Sequence, residues 1–212
     1  MKKQSLSKVV EQQLEQMILS GQLLPGERIN ESYLSNALDI SRAPIREACR
    51  QLAQYGMVEV RTGKGTYVRQ VELSEAIELY EIRGVFDAFA AEQTALRASD
   101  NEIKDLSVLV EKMKACVKDD DTSEYFALNL QFHHQIVLLS GNQSLIGQYE
   151  LVLRKLSLFR QKTLSKPDRL VHSLSHHENI MLAIQRRDSL EAAKLARSHV
   201  EDAKGVLKKS QS

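Results

Sequence analysis

The sequence predicts a mainly α-helical protein in two parts: a small N-terminal unit of short helices closing in a β-hairpin, and a larger antiparallel α-helical bundle. Three observations predict it. Two of the three prolines and six of the nine glycines lie before residue 85, so turns crowd the first third. Residues 57–69 alternate β-branched and polar side chains around Thr62-Gly63-Lys64-Gly65, which reads as a hairpin. From Leu73 onward long helical stretches are separated only by short polar breaks, which favours antiparallel neighbours. The expected boundary gives domains over 1–70 and 71–212.

In order along the chain, Val9, Leu14, Met17 and Ile18 fit one helical face that Gly21 stops, and Leu24-Pro25-Gly26 makes a turn. A short helix is expected at Glu31–Leu38, then a break at Asp39-Ile40-Ser41. Ser41 is placed to cap the next helix with its hydroxyl. Pro44 falls in that helix's first turn, where a missing N–H costs little, and Gly56 ends the helix after Tyr55. Six further helices are expected at 73–97, 101–118, 122–139, 143–163, 168–187 and 189–208.

The 212 residues carry 29 basic and 28 acidic side chains, a formal net charge of +1, so no global field marks a polyanionic partner. The distribution is uneven: residues 1–70 have a basic surplus and residues 71–212 an acidic one. Cys49 and Cys116 stand alone, without a CxxC or disulfide framework, and a reducing compartment is the default. No apolar run has the length of a signal peptide core or a membrane span, so the expectation is a cytoplasmic protein with no membrane partner.

Two short helices, a tight turn and a small hairpin describe a winged helix-turn-helix. At 100° per residue, Ile45, Ala48, Cys49 and Leu52 share one face of the second helix, while Arg42, Arg46 and Arg50 form a stripe roughly 120° away. One face suits a core and the other a polyanion. Arg42 and Arg46 are near enough to the helix start to reach guanine O6 and N7. Ser41 and the helix N-terminus can hold a phosphate, and Lys64 between Gly63 and Gly65 can bring a charge close to the backbone. A bare arginine stripe could be only a solvated face; turn, stripe and Gly-Lys-Gly in order favour double-stranded DNA.

These segments resemble a known family. Gln22-Leu23-Leu24-Pro25-Gly26-Glu27-Arg28-Ile29, Ile40-Ser41-Arg42-Ala43-Pro44-Ile45-Arg46-Glu47-Ala48 and Gly63-Lys64-Gly65-Thr66-Tyr67-Val68 look like the GntR family of bacterial transcription regulators. The helical remainder is similar to the effector domain of its FadR-type branch. The resemblance implies operator contacts from Arg42, Arg46 and the wing at Gly63, Lys64 and Gly65. Some relatives carry another arginine where Ser32 stands here.

All six histidines follow residue 130. Asn129 and His133 form an i, i+4 pair on one helix face. His177 shares the apolar face of Ile180, Met181 and Ile184, and His199 lies between Leu195 and Val200. Three imidazoles from three helices would suit Zn or Ni with open positions for water or a ligand, but separate histidines with unrelated partners fit the sequence as well. The resemblance implies the metal-binding type: Asn129 through His133 looks like the family's Asp-x-x-Phe-His segment, and His177 and His199 match its later histidines. Many members have Asp where Asn129 stands, so a site here would lack an anionic protein ligand and favour an anionic effector. His134 and His176 read as outer-shell or surface groups. Arg83 could pair with an effector carboxylate or, at i, i+4, with Asp87.

The expected activity is therefore regulation: a homodimer reading a near-palindromic operator and sensing a small organic acid near a divalent transition metal. A metalloenzyme would need a base, and neither HExxH nor a carboxylate pair is present; Glu178 points away from His177's face. A winged unit used only for protein contact would lack salt-dependent DNA binding.

Overall fold

The computed structural model describes residues 5–160 and 168–209. Nine helices and three short strands run in the order α1 (Leu6–Leu19), β1 (Arg28–Ile29), α2 (Glu31–Ala37), α3 (Arg42–Gln54), β2 (Val58–Arg61), β3 (Gly65–Val68), α4 (Leu73–Arg97), α5 (Asp100–Asp119), α6 (Thr122–Leu139), α7 (Gln143–Arg160), α8 (Asp168–Gln185) and α9 (Ser189–Lys209), counted among the described residues. The last residues expected in α7, 161–163, lie outside the described residues. Two compact units result: one gathers residues through Ala76 with the segment from Leu151, the other holds Ile77–Glu150 and the last two helices.

In the first unit α1 packs on α3, and α3 on α2 and β2. Ile45, Ala48, Cys49 and Leu52 are all buried, as the helical angles require, and they meet Leu14, Ile18, Leu34 and Met57 in one core. Val9 is exposed instead; the inward row of α1 is Val10, Leu14 and Ile18 at i, i+4 and i+8. Two adjacent valines left the face ambiguous by about one residue step of 100°. Glu11 is buried beside them, its carboxylate accepting from Lys8 Nζ at 2.7 Å, a bond that raises the lysine's pKa.

The hairpin is present, β2 pairing antiparallel with β3, and a third strand, β1, adds to β3's other edge with Arg28 opposite Tyr67 and Ile29 opposite Thr66. Ser41 occupies the N-cap of α3 in an extended conformation, but its hydroxyl makes no capping hydrogen bond, contrary to the role assigned from sequence. Pro44, with no N–H to satisfy, already lightens the demand for a cap there. The end of α7 belongs to this unit: Arg154 stacks over the Tyr55 ring at 4.3 Å and donates from Nε to Glu15 on α1 at 2.9 Å.

The second unit is all-helical. A capping box of Ser99 and Glu102 starts α5, and the side chains of Asp121 and Asp188 accept from the first turns of α6 and α9. α5 packs against α6 and α8, and α8 against α9. Thr94 Oγ1 donates to the buried carbonyl of Ile136 at 2.7 Å, joining α4 to α6. Three helices, α6, α8 and α9, thereby face a common interior with α4 alongside. Among the described residues no helix is long and apolar enough to cross a membrane, and both cysteines are free and buried.

Candidate functional site

The outer face of α3 carries what the sequence placed there. Arg42, Arg46 and Arg50 are exposed while the opposite face is the core. Arg46 donates from Nε to Glu31 on α2 at 2.9 Å, and Arg50 lies 3.7 Å from Glu47. These carboxylates hold two of the three guanidinium groups in place when no polyanion is present. Between α3 and the wing is a cleft of about 540 Å³ lined by Arg28, Glu31, Ser32, Arg42, Arg46 and Gly65. Arg28 was not anticipated: only the pairing of β1 with β3 brings it beside Gly65, and that pairing has no local signal. In the wing, Gly63 and Gly65 have φ of 70° and 103°, a turn that leaves Lys64 exposed at its tip. Ser41 is also exposed, at the start of α3.

In the helical unit His133 (α6), His177 (α8) and His199 (α9) are brought together, and all three are buried. His133 Nε2 lies 3.2 Å from His177 Nε2 and 3.1 Å from His199 Nε2. Tetrahedral coordination with Zn–N bonds of about 2.1 Å separates ligand nitrogens by about 3.4 Å. Two of the triad's edges are thus a few tenths of an ångström from that spacing, all three ligand atoms lie within 4.8 Å of one another, and the donor chemistry fits a divalent metal. The hydroxyl of Tyr125 is 3.2 Å from His177 Nδ1. Because a phenol can donate or accept, it serves His177 in either tautomer. Burial, with smaller contributions from Arg83 and His176, pushes the His177 pKa down to about 3. His199 is likewise held well below the ordinary histidine range, by burial first and then by His177 and Arg83. Both rings are neutral near pH 7, the state a metal ligand needs. Asn129, one turn before His133, is half-buried, and its amide bonds to no described residue.

Behind the triad stands Asp87, which the sequence offered as a partner of Arg83 but not as a neighbour of the histidines. Asp87 Oδ2 on α4 is 3.7 Å from His133 Nδ1, so a buried carboxylate does adjoin the site, though as an outer partner of an imidazole. Asp87 also accepts from Arg83 Nε at 3.2 Å, the i, i+4 pair that sequence spacing allowed. Burial works against the Arg83 charge, but Tyr149, Asp87 and Tyr80 outweigh it and keep the guanidinium protonated. Tyr149 comes close enough to influence both charges, yet its buried hydroxyl has no hydrogen-bond partner of good geometry among the described residues. His134 is partly exposed, 3.8 Å from Glu150, and His172 and His176 lie near the surface end of α8.

Residues 6–68 match the model of the bacterial regulatory proteins, gntR family, and residues 78–202 match the FCD domain model. The chain belongs to the GntR family. Its regulator relatives include the HTH-type transcriptional regulator YdhC of Bacillus subtilis, 31% identical over 183 residues, which are 86% of this chain and 81% of that protein. The Nta operon transcriptional regulator of Aminobacter aminovorans is 31% identical over 181 residues, 85% of each chain. The gluconate operon transcriptional repressor of Bacillus licheniformis is 28% identical over 201 residues, 92% of this chain and 82% of that one. Among solved structures, E. coli McbR/YncC superposes with a TM-score of 0.81 at 20% identity, covering 99% of this chain and 100% of that chain, a likeness of fold. The protein is a GntR regulator with an FCD effector domain, a DNA-binding family rather than an enzyme family.

Proposed function

We propose that this GntR protein binds a near-palindromic operator as a homodimer and changes its DNA affinity when a small carboxylate-bearing metabolite binds beside a metal held by His133, His177 and His199. The observation that carries the sensing half is the convergence of three buried imidazole nitrogens on one point. Zn or Ni suits three nitrogen donors, with Asn129 as a neutral oxygen donor at the edge of the set. A bound divalent ion would supply Lewis acidity toward an effector carboxylate. The Arg83–Asp87 pair is internally neutral, so the metal's charge would still be in excess and would favour an anion. Arg83 and the unpartnered Tyr149 hydroxyl are the protein groups assigned to its carboxylate.

For DNA, Arg42 and Arg46 are assigned to base edges, Arg50, Ser41 and Lys64 to phosphates, and Gly63 and Gly65 to the close approach of the wing. Support for the dimer comes from α4, where Ile82, Val85, Phe89 and Leu96 are exposed within about 60° of one another on one face. Two such chains would present two winged units to half-sites about one helical turn apart. Coupling of about 1–3 kcal/mol between effector and DNA is the usual scale for such regulators. The test is a DNA-binding titration of metal-loaded protein against genomic fragments, with and without organic acids; gluconate, after the operon that names one relative, is a natural first choice. No acid altering DNA affinity in the wild type, or equal responses from wild type and R83A, would sink the assignment.

A further inference from the structure

A second histidine cluster lies on the same unit, nearer the surface. His172 and His176 are one turn apart on α8 with ring centroids 4.8 Å from each other. Asp202 reaches them from α9, its Oδ2 2.9 Å from His176 Nε2. One ligand atom from each of the three lies within 4.8 Å of the other two. Two histidines at i, i+4 on a helix face, completed by a carboxylate from a neighbouring element, are a ligand pattern that zinc sites use. Three exposed or half-buried side chains can adjust by small rotations to the spacing of about 3.4 Å that tetrahedral bonds near 2.1 Å require. These groups open on a cavity of about 270 Å³ that Glu201 also lines and into which His199 faces. The His176 and His199 rings are 5.4 Å apart, centroid to centroid.

We propose that His172, His176 and Asp202 form a second, surface-accessible site for a divalent first-row transition metal, separate from the buried triad. Nothing in the DNA-reading or effector-sensing roles uses His172 or Asp202. Two imidazoles and one carboxylate leave at least one coordination position to water, so this site exchanges its ion with solvent more readily than the buried one. Its position at the mouth of a cavity reaching His199 makes it a landing point on the way to the interior.

The test uses the full chain, stripped of metal with chelator and then dialysed against Zn²⁺, with bound zinc measured by elemental analysis. Wild type should hold two equivalents and H172Q/D202N one, with unchanged helical circular dichroism; both replacements are at the surface. In H133Q, which disables the buried triad, one equivalent should remain and should vanish when H172Q is added. Equal zinc content in wild type and H172Q/D202N overturns the proposal. So does loss of all zinc in folded H133Q. Failure of the buried site alone would appear differently, as one equivalent in wild type that H172Q/D202N removes.

Discussion

Replacing His133 by Gln removes the nitrogen on which the buried cluster centres, since its Nε2 is the one within 3.2 Å of both other imidazoles. In the metal-free protein, with the His133 proton on Nδ1 facing Asp87, the single Nε2 lone pair accepts one hydrogen bond, from the Nε2–H of His177 or of His199, while Tyr125 can donate to His177 Nδ1. Losing that acceptor strands a buried donor, at about 1–3 kcal/mol if it finds no partner. A glutamine carbonyl can recover part of this, so the metal-free loss should stay near the lower figure. The larger difference appears with metal. At free metal one hundred times Kd the wild type gains about 2.7 kcal/mol. For a chain of this length each kcal/mol moves Tm by about 2–4 °C, giving a rise of about 5–11 °C. In the H172Q/D202N background, which leaves the buried triad as the remaining site, H133Q should show almost none of it. The assay is thermal unfolding of chelator-treated protein with and without Zn²⁺. An equal metal-dependent rise in H133Q in that background would refute the triad as the metal's seat.

Further outcomes follow from the same geometry. His177 and His199 refuse in the folded state a proton that their unfolded rings would accept below about pH 6.5. The unfolded chain therefore binds more protons, and metal-free stability should rise with pH up to about 6.5, from about pH 3 for His177, by up to ~1.4 kcal/mol per pH unit for each ring. Urea midpoints that do not fall from pH 7 to pH 4.5 would contradict this. Gly65 has φ of 103°, and a Cβ there would meet Arg28 Nε at 3.1 Å. G65A should weaken DNA binding through the strained wing, of order 1–3 kcal/mol, while metal content stays constant. E31Q frees Arg46 from an exposed ion pair of the kind worth at most about 1 kcal/mol. It should tighten DNA binding by up to about fivefold at low salt; weaker binding would show that Glu31 positions Arg46 rather than competing for it.

Much of this was legible before any coordinates, for identifiable reasons. The helix order follows from polar breaks, and the two faces of α3 follow from 3.6-residue geometry applied to Ile45, Ala48, Cys49 and Leu52 against the arginines. The three histidines could be named but not joined, because their convergence depends on how α6, α8 and α9 pack. The approach of Asp87 to His133 and of Tyr125 to His177 was hidden for the same reason. β1 is two residues long and exists only through its partner strand, so it left no period to read. Val9 was misplaced because Val10 offered an equal apolar side chain one position on. Ser41 satisfied the composition rule for a cap without making the bond, since local sequence cannot tell which way a hydroxyl turns. Arg83 was read with two possible partners, and the structure supplies Asp87 while leaving the Tyr149 hydroxyl beside it unpartnered.

The most direct measurement is the salt dependence of binding to a retained genomic fragment, for wild type and R42A/R46A. The outward arginine row predicts a wild-type affinity that falls steeply as salt rises, with a slope of about −0.9 in log K for each phosphate neutralised. The double variant should lose about 1–3 kcal/mol for each base contact removed while its metal content and helical spectrum stay unchanged. Matching affinities and slopes for the two proteins would contradict the account.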